Sequence, residues 1–284
     1  MSKDNWNRWG ADDERGALNH IDTDCVKRAV ALVSSGLVLS LAQPLSPRTP
    51  FPPHRAGMQH FMGRSGGDYA AGARRPGGFQ FAEDTLLMPA HIGTHIDALC
   101  HAWYDDQLYN GFPGAGTRGT TGAARCGIHT MGPIATRGVL LDIVEVRGGP
   151  LRDGDAIGVA DLAKAAKTEP GKGDVVLIRT GWAERESGDF NTEPGLDLAA
   201  ALWLAEREVA VVGADNFAVE VLPFAIGTVF PVHQRLIRDF GIPLLEGLIL
   251  KPLAETGRHS FLFAASPLPV VGGTGSPISP MAVL

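Results

Sequence analysis

The sequence predicts an α/β fold: a single domain on a mixed sheet, preceded by a short N-terminal arm over residues 1–20. Three observations carry this. Aliphatic and β-branched runs at 138–146, 174–180 and 209–215 read as buried strands, and helical patterns at 159–168 and 196–208 alternate with them. The strands and helices do not follow strict βαβ order, which implies a sheet with both parallel and antiparallel neighbours. Neither an internal repeat nor an interdomain linker interrupts residues 21–284, a length that suits one large domain.

Each element has its own signal. The arm carries Trp6 and Trp9 in a polar stretch, and two tryptophans there require a covering surface. Their own domain could supply it; the reading adopted is a partner subunit. Asp22 or Asp24 can cap a helix through CVKRAVALVSSG, with Gly36 as its stop. LVLSLAQPL reads as a strand. Between 46 and 79, Pro, Gly and Arg dominate without a sustained period, so a long loop with a short strand near 58–62 is expected. TLLMPAHIGTHIDAL is extended in character, and 104–136 is loop-like again. The strand GVLLDIVEV, the helix VADLAKAAKT, the strand DVVLIRT, the helix LDLAAALWLAERE and the strand VAVVGAD follow. VHQRLIRDF suggests a short helix, IPLLEGLIL a strand, and HSFLFAASPLPV a last strand before a Gly/Pro-rich tail.

Composition excludes several functions. A formal net charge of -6 without any long Lys/Arg run argues against nucleic acid and anionic membrane as partners. No stretch approaches the ~20 apolar residues of a membrane span, and the polar N-terminus lacks the apolar core of a secretory signal. Cys25, Cys100 and Cys126 are odd in number and far apart, which favours a reducing compartment, the cytoplasm, over a disulfide framework.

The chemistry concentrates in His91-Ile-Gly-Thr-His95-Ile-Asp97-Ala-Leu-Cys-His101. All spacings among the four polar residues are even, so an extended chain aims them at one face, whereas a helix would scatter them. A straight strand would part His91 from His101 by roughly 33 Å at ~3.3 Å per residue, so the chain must bend, and Gly93 is placed to allow it. A lone histidine is usually a satisfied core or surface residue. Three histidines and an aspartate within eleven residues are costly to bury unless something pairs them. The His/His/Asp set leaves coordination positions open for water, as a catalytic ion does, and both Mn²⁺ and Zn²⁺ accept it. Cys100 has the opposite parity and should point away. Glu246 sits in the apolar run LLEGLIL, where a carboxylate needs a cation or a hydrogen-bond network.

Two literal motif matches carry no such weight. Gly114-Ala-Gly116-Thr-Arg-Gly119 fits the dinucleotide fingerprint but has no strand before it and no helix after it. Gly63-Arg-Ser65-Gly-Gly67 fits a nucleophile elbow but lies in what reads as a Gly-rich loop.

The motif H-x-G-T-H-x-D-x-x-x-H resembles the signature of the cyclase family of metal-dependent hydrolases, of the kynurenine formamidase and isatin hydrolase type. RWGADDERGALNHI, GDVVLIRTGW, VVGADNFAVE, VHQRLIRDFGIPLLEGL and GGTGSPISP are similar to family blocks, so the resemblance spans nearly the whole chain. Formamidases of the family have D-x-P-x-H, whereas this chain has Asp97-Ala-Leu-Cys-His101, the pattern of a longer branch. The resemblance implies a swivelling β/β/α-type fold. It implies that His91, His95 and Asp97 hold a first ion and His233 and Glu246 a second where two are present. His101, with Glu246, would then move protons.

The expected function is hydrolysis of an amide, cyclic amide or imide, or N-formyl C–N bond by metal-activated water. The alternatives are a lactone or ester hydrolase on the same site, and a catalytically inactive metal-stabilised binding protein. Trp103, on the face of His101, and Phe61, in the 46–75 loop, are the expected aromatic contacts of a planar substrate. A homodimer or homotetramer is expected.

Overall fold

Four apolar runs form the centre of the molecule. In the computed structural model, which describes residues 4–185 and 188–284, Ile134–Asp142, Val175–Arg179, Val211–Ala214 and Leu244–Glu246 lie side by side in parallel. Nearly every residue in them is buried, as expected when crossover segments cover a parallel sheet. Antiparallel strands extend both edges. Ser260–Ala265, Met281–Val283 and Val38–Ser40 follow on one side. His95–Asp97 pairs with Leu244–Glu246 on the other, and Gly275–Pro277 closes that edge of the nine-stranded sheet. The mixed α/β architecture read from the sequence is therefore the one observed.

Local chemistry explains where element boundaries differ from the periodic signal. The strand expected at 138–146 runs instead from Ile134 to Asp142, because the Asp142 carboxylate accepts the Glu145 N–H and caps a helix, Ile143–Arg147. The helix Thr23–Val30 starts at the cap Asp22 but stops well short of Gly36. The 242–250 run keeps only Leu244–Glu246 as strand and leads into a helix, Lys251–Glu255. Two strands, Gly275–Pro277 and Met281–Val283, fall in the Gly/Pro-rich tail. Strands of three residues carry no alternation to detect, and the edge strand Gly275–Pro277 contains Gly and Pro as well.

The arm is tied down within its own chain. Trp6 Nε1 donates to the Arg238 carbonyl at 2.9 Å, and the Arg238 guanidinium lies 4.5 Å from the Trp6 ring centre. Asn110 Nδ2 donates to the carbonyls of Gly10, Ala11 and Asp13. Trp9 meets His20 edge-on at 4.9 Å.

His20 is 2% exposed, and burial, aided by Arg8, pushes its pKa down to about 4. Unfolded, the ring titrates near 6.5, so between about 6.5 and 4 the unfolded chain binds the extra proton. Stability contributed by neutral His20 is thus present above about 6.5 and lost as pH falls towards 4. His20→Phe is expected to flatten that limb of the Tm-against-pH curve; a parallel curve for the variant would rule His20 out as its source.

Candidate metal centre

Sheet register brings the polar residues together. In the antiparallel pair of His95–Asp97 with Leu244–Glu246, His95 stands directly opposite Glu246, and their side chains meet with Nε2 3.0 Å from Oε2. Asp97, two residues on, faces the same side. Gly93, at φ +56°, turns the chain so that His91 folds back, placing its Nε2 3.2 Å from Asp97 Oδ1. Across the outer pair, Asp97 opposes Gly275, where a Cβ would come within 2.6 Å of His91 Nε2. Beyond the strand, the His101 N–H bonds the Ala98 carbonyl at 2.9 Å, and this second turn brings His101 Nε2 to 3.9 Å from Asp97 Oδ1. His233 enters from Pro231–His233, the turn before the π-helix Gln234–Asp239. Its Nε2 lies 3.2 Å from Glu246 Oε1 and 3.7 Å from Asp97 Oδ2.

The structure thus gathers every residue proposed from the sequence as a ligand or proton carrier. Two triads are tightest: His91, Asp97 and His101, and Asp97, His233 and Glu246. His95 lies between them, closer to Glu246 than to Asp97.

The donor set fits a divalent cation. His91 Nε2, His95 Nε2, both Asp97 carboxylate oxygens and Glu246 Oε1 are buried without a hydrogen-bond partner, a costly state unless a cation satisfies them together. Donors bonded to one ion at ~2.1 Å stand about 3–3.5 Å apart, close to the separations seen. Ring orientation points the same way. His95 Nδ1–H donates to the Gly93 carbonyl at 3.0 Å, and His233 Nδ1–H donates to Glu220 Oε1 at 2.6 Å. Both rings then turn an Nε2 lone pair inwards, the arrangement by which outer hydrogen bonds set a metal-binding tautomer.

Electrostatics show an excess of negative charge. Burial opposes protonation of His95, but the Glu246 carboxylate 3.0 Å away and the charge of Asp97 outweigh burial and raise its pKa. His233 is raised well above the usual histidine range against burial, through Glu220 and Glu246. Asp97 is held well below the carboxylate range by His101, His91 and His95, although burial alone would raise it. His101 differs: burial pushes it down to about 4, so its ring is neutral near pH 7 and free to accept a proton.

Beside the cluster lies a cavity of about 710 Å³, lined by His101, His233 and Glu246 together with Trp103, Phe190, Phe217, Phe224 and Phe230. Trp103 is where the sequence suggested. Phe61 is not among the lining residues: it stands 54% exposed on the hairpin formed by Gln59–Arg64 and Glu83–Leu87. Of the 46–75 loop only Pro52, Pro53, His54 and Arg55 reach the cavity. The aromatic wall comes instead from segments distant in sequence, and no local pattern marks those phenylalanines. Two acids also escaped notice, Glu220 behind His233 and Glu193 in the wall; the VVGADNFAVE block held Glu220, but only the fold shows its partner.

Ser65 corrects one expectation. A strand, Gln59–Arg64, does precede it and a short helix, Gly66–Ala70, does follow. Its hydroxyl and N–H bond the Asp68 carboxylate, so Ser65 starts a helix and has no histidine partner among the described residues. Cys100 points away from the cluster, its thiol towards the Gly273 carbonyl.

Comparison with known proteins places the chain among relatives. The Cyclase family model matches residues 39–221. The isatin hydrolase of Roseibium aggregatum is 27% identical over 219 residues, covering 72% of this chain and 75% of that protein. A crystal structure described as that of a novel cyclase superposes with a TM-score of 0.92 at 38% identity, over 99% of this chain and 97% of the other. Isatin hydrolase A from Labrenzia aggregata, bound to benzyl benzoate, shares the fold with a TM-score of 0.66 at 20% identity, over 91% and 99% of the two chains.

Glu220 tests the ligand geometry. Glu220→Gln is expected to lower metal affinity by about 10–100-fold, since it loosens the orientation of His233. Chelator-competition titration reads this, and unchanged affinity would mean that His233 is no ligand.

Proposed function

The chain belongs to the Cyclase family, and on that premise we propose that it is a metal-dependent hydrolase cleaving the C–N bond of an aryl or cyclic amide, imide or N-formyl amine. The observation that carries this reading is the cluster of buried, unpartnered His, Asp and Glu atoms opening onto an aromatic cavity. His91, His95 and Asp97 would hold a first divalent ion, Mn²⁺ or Zn²⁺, and His233 and Glu246 a second, with Glu246 within reach of both. Such an ion supplies Lewis acidity, polarising the scissile carbonyl and acidifying water.

The chain's own groups do the rest. His101 is neutral near pH 7 and partly open to the cavity, so its ring nitrogen takes the proton of the attacking water and returns it to the leaving nitrogen. Glu246, held between His95 and His233, is a carboxylate and serves the same transfer from the opposite strand. Trp103, Phe190, Phe217 and Phe230 suit the faces of a planar ring and exclude water around it. The exposed Phe61, Met62, Leu86 and Leu87 of the hairpin support a homodimer or homotetramer, because a two-stranded ribbon is marginal alone. Among the described residues no helix is long and apolar enough to cross a membrane.

Exhaustive chelation is expected to abolish hydrolysis of isatin-like cyclic amides and N-formyl anilines, and Mn²⁺ or Zn²⁺ to restore it. Full turnover by protein that elemental analysis finds metal-free would overturn the mechanism. His101→Ala should keep its metal and lose about 10²–10⁴-fold in kcat. A variant that purifies without metal would move His101 into the ligand set, alongside His91 and Asp97. Sedimentation at micromolar concentration should show an assembly larger than one chain; a monomer would refute the oligomer.

A further inference from the structure

One buried acid in the cavity has no part in the reaction above. Glu193 is 1% exposed yet lines the same cavity as His101, His233 and Glu246. It is fixed in two ways. Its backbone exchanges hydrogen bonds with Leu222, N–H to carbonyl at 3.2 Å and carbonyl to N–H at 2.9 Å. Its Oε2 accepts the N–H groups of Phe217 at 2.7 Å and Ala218 at 3.1 Å. Among the described residues no protein group bonds Oε1. Glu193 is thus a carboxyl in the cavity wall with one oxygen held by two backbone N–H groups and the other left to bond what enters the cavity.

We propose that Glu193 binds substrate directly: Oε2 anchors it to the 217–218 backbone, and Oε1 donates a hydrogen bond to a second oxygen of the substrate, apart from the scissile carbonyl. This rests on the hydrolase reading above and narrows it to amides that carry a further carbonyl or carboxylate oxygen, such as a cyclic α-keto amide. The donor sense follows from the surroundings. Two N–H donors already occupy Oε2, and the charges that act on Glu193 are the carboxylates of Glu246 and Asp153. Arg55, His101 and His233 also line the cavity. Burial is the largest influence and, with Glu246 and Asp153, lifts the Glu193 pKa to about 8 against the pull of its two N–H donors. The carboxyl is then neutral near pH 7, the form that donates. A structural latch alone would need only the acceptor at Oε2.

The test uses the metal-loaded full chain with isatin, and with 2-indolinone, which lacks the second carbonyl. Glu193→Leu is expected to raise KM for isatin about tenfold or more, with kcat less affected and metal content unchanged, and to lower Tm, since the Phe217 and Ala218 N–H groups lose their acceptor. Glu193→Gln, whose amide reproduces both the acceptor and the donor, should recover KM to within about threefold. On 2-indolinone the KM loss of Glu193→Leu should be several-fold smaller than on isatin, because that substrate has no second oxygen to lose. Glu193→Leu matching wild type in KM would overturn the binding role, and Glu193→Gln as weak as Glu193→Leu would overturn the donor. If Glu193→Leu fails to fold, the infrared difference between wild type and Glu193→Gln at pH 7 decides. A protonated-carboxyl band that disappears in the variant supports the donor, and loss of a carboxylate band instead refutes it. Wild type inert towards isatin and every other aryl amide would count against the hydrolase reading, while the infrared measurement still judges Glu193.

Discussion

The site depends on one cross-strand contact, His95 opposite Glu246, where an antiparallel strand joins the parallel core. Both side chains are almost wholly buried, and Asp97 lies on the same face. Two carboxylates that close in a low-dielectric interior repel strongly, and histidines alone satisfy them incompletely, as the unpartnered atoms record. A divalent cation resolves both problems at once. The surroundings hold this contact in place: Gly93 bends the chain, Gly275 leaves room for His91, and Glu220 turns His233 inward.

Rigidity and adaptability are divided between sheet and loops. His95, Asp97 and Glu246 sit on strands whose register is set by a buried ladder, so their positions follow from the fold's strongest cooperative unit. His91, His101 and His233 come from turns flanking those strands, each pinned by one or two backbone hydrogen bonds. Arg55 links the two kinds of element. It donates to the His91 carbonyl at 2.8 Å and lies over the Phe217 ring at 5.2 Å, joining the metal motif to the aromatic wall. The cavity itself is made by loops, which is where related folds vary what they bind.

Much of the centre could be read directly because its residues are close in sequence. The even spacing from His91 to His101, and the Gly93 between them, already required an extended segment with a bend, and the structure has that bend. Glu246 was legible for a different reason: a carboxylate inside an apolar strand contradicts its surroundings unless something there is charged. The α/β class followed from apolar runs long enough to show a period. By contrast, the strands Gly275–Pro277 and Met281–Val283, three residues each, had no period to show, and the cap Asp142 turned the end of an apolar run into helix.

What remained for tertiary structure was every relation between distant segments. Which histidine faces which carboxylate is set by strand register, and register is a property of the packed sheet. The aromatic wall gathers Phe190, Phe217, Phe224 and Phe230 from two loops, while Phe61, nearest the motif in the 46–75 loop, stands on an exposed ribbon. Glu193 and Glu220 look like ordinary acids in the sequence. Only burial gives them their significance, because a carboxyl removed from water must find its partners in the protein or in what the protein binds. Sequence alone determined the kind of chemistry, since residue types within one short segment sufficed; the tertiary fold decided the pairing, orientation and walls of the site, since those arise only when distant parts of the chain exclude water together.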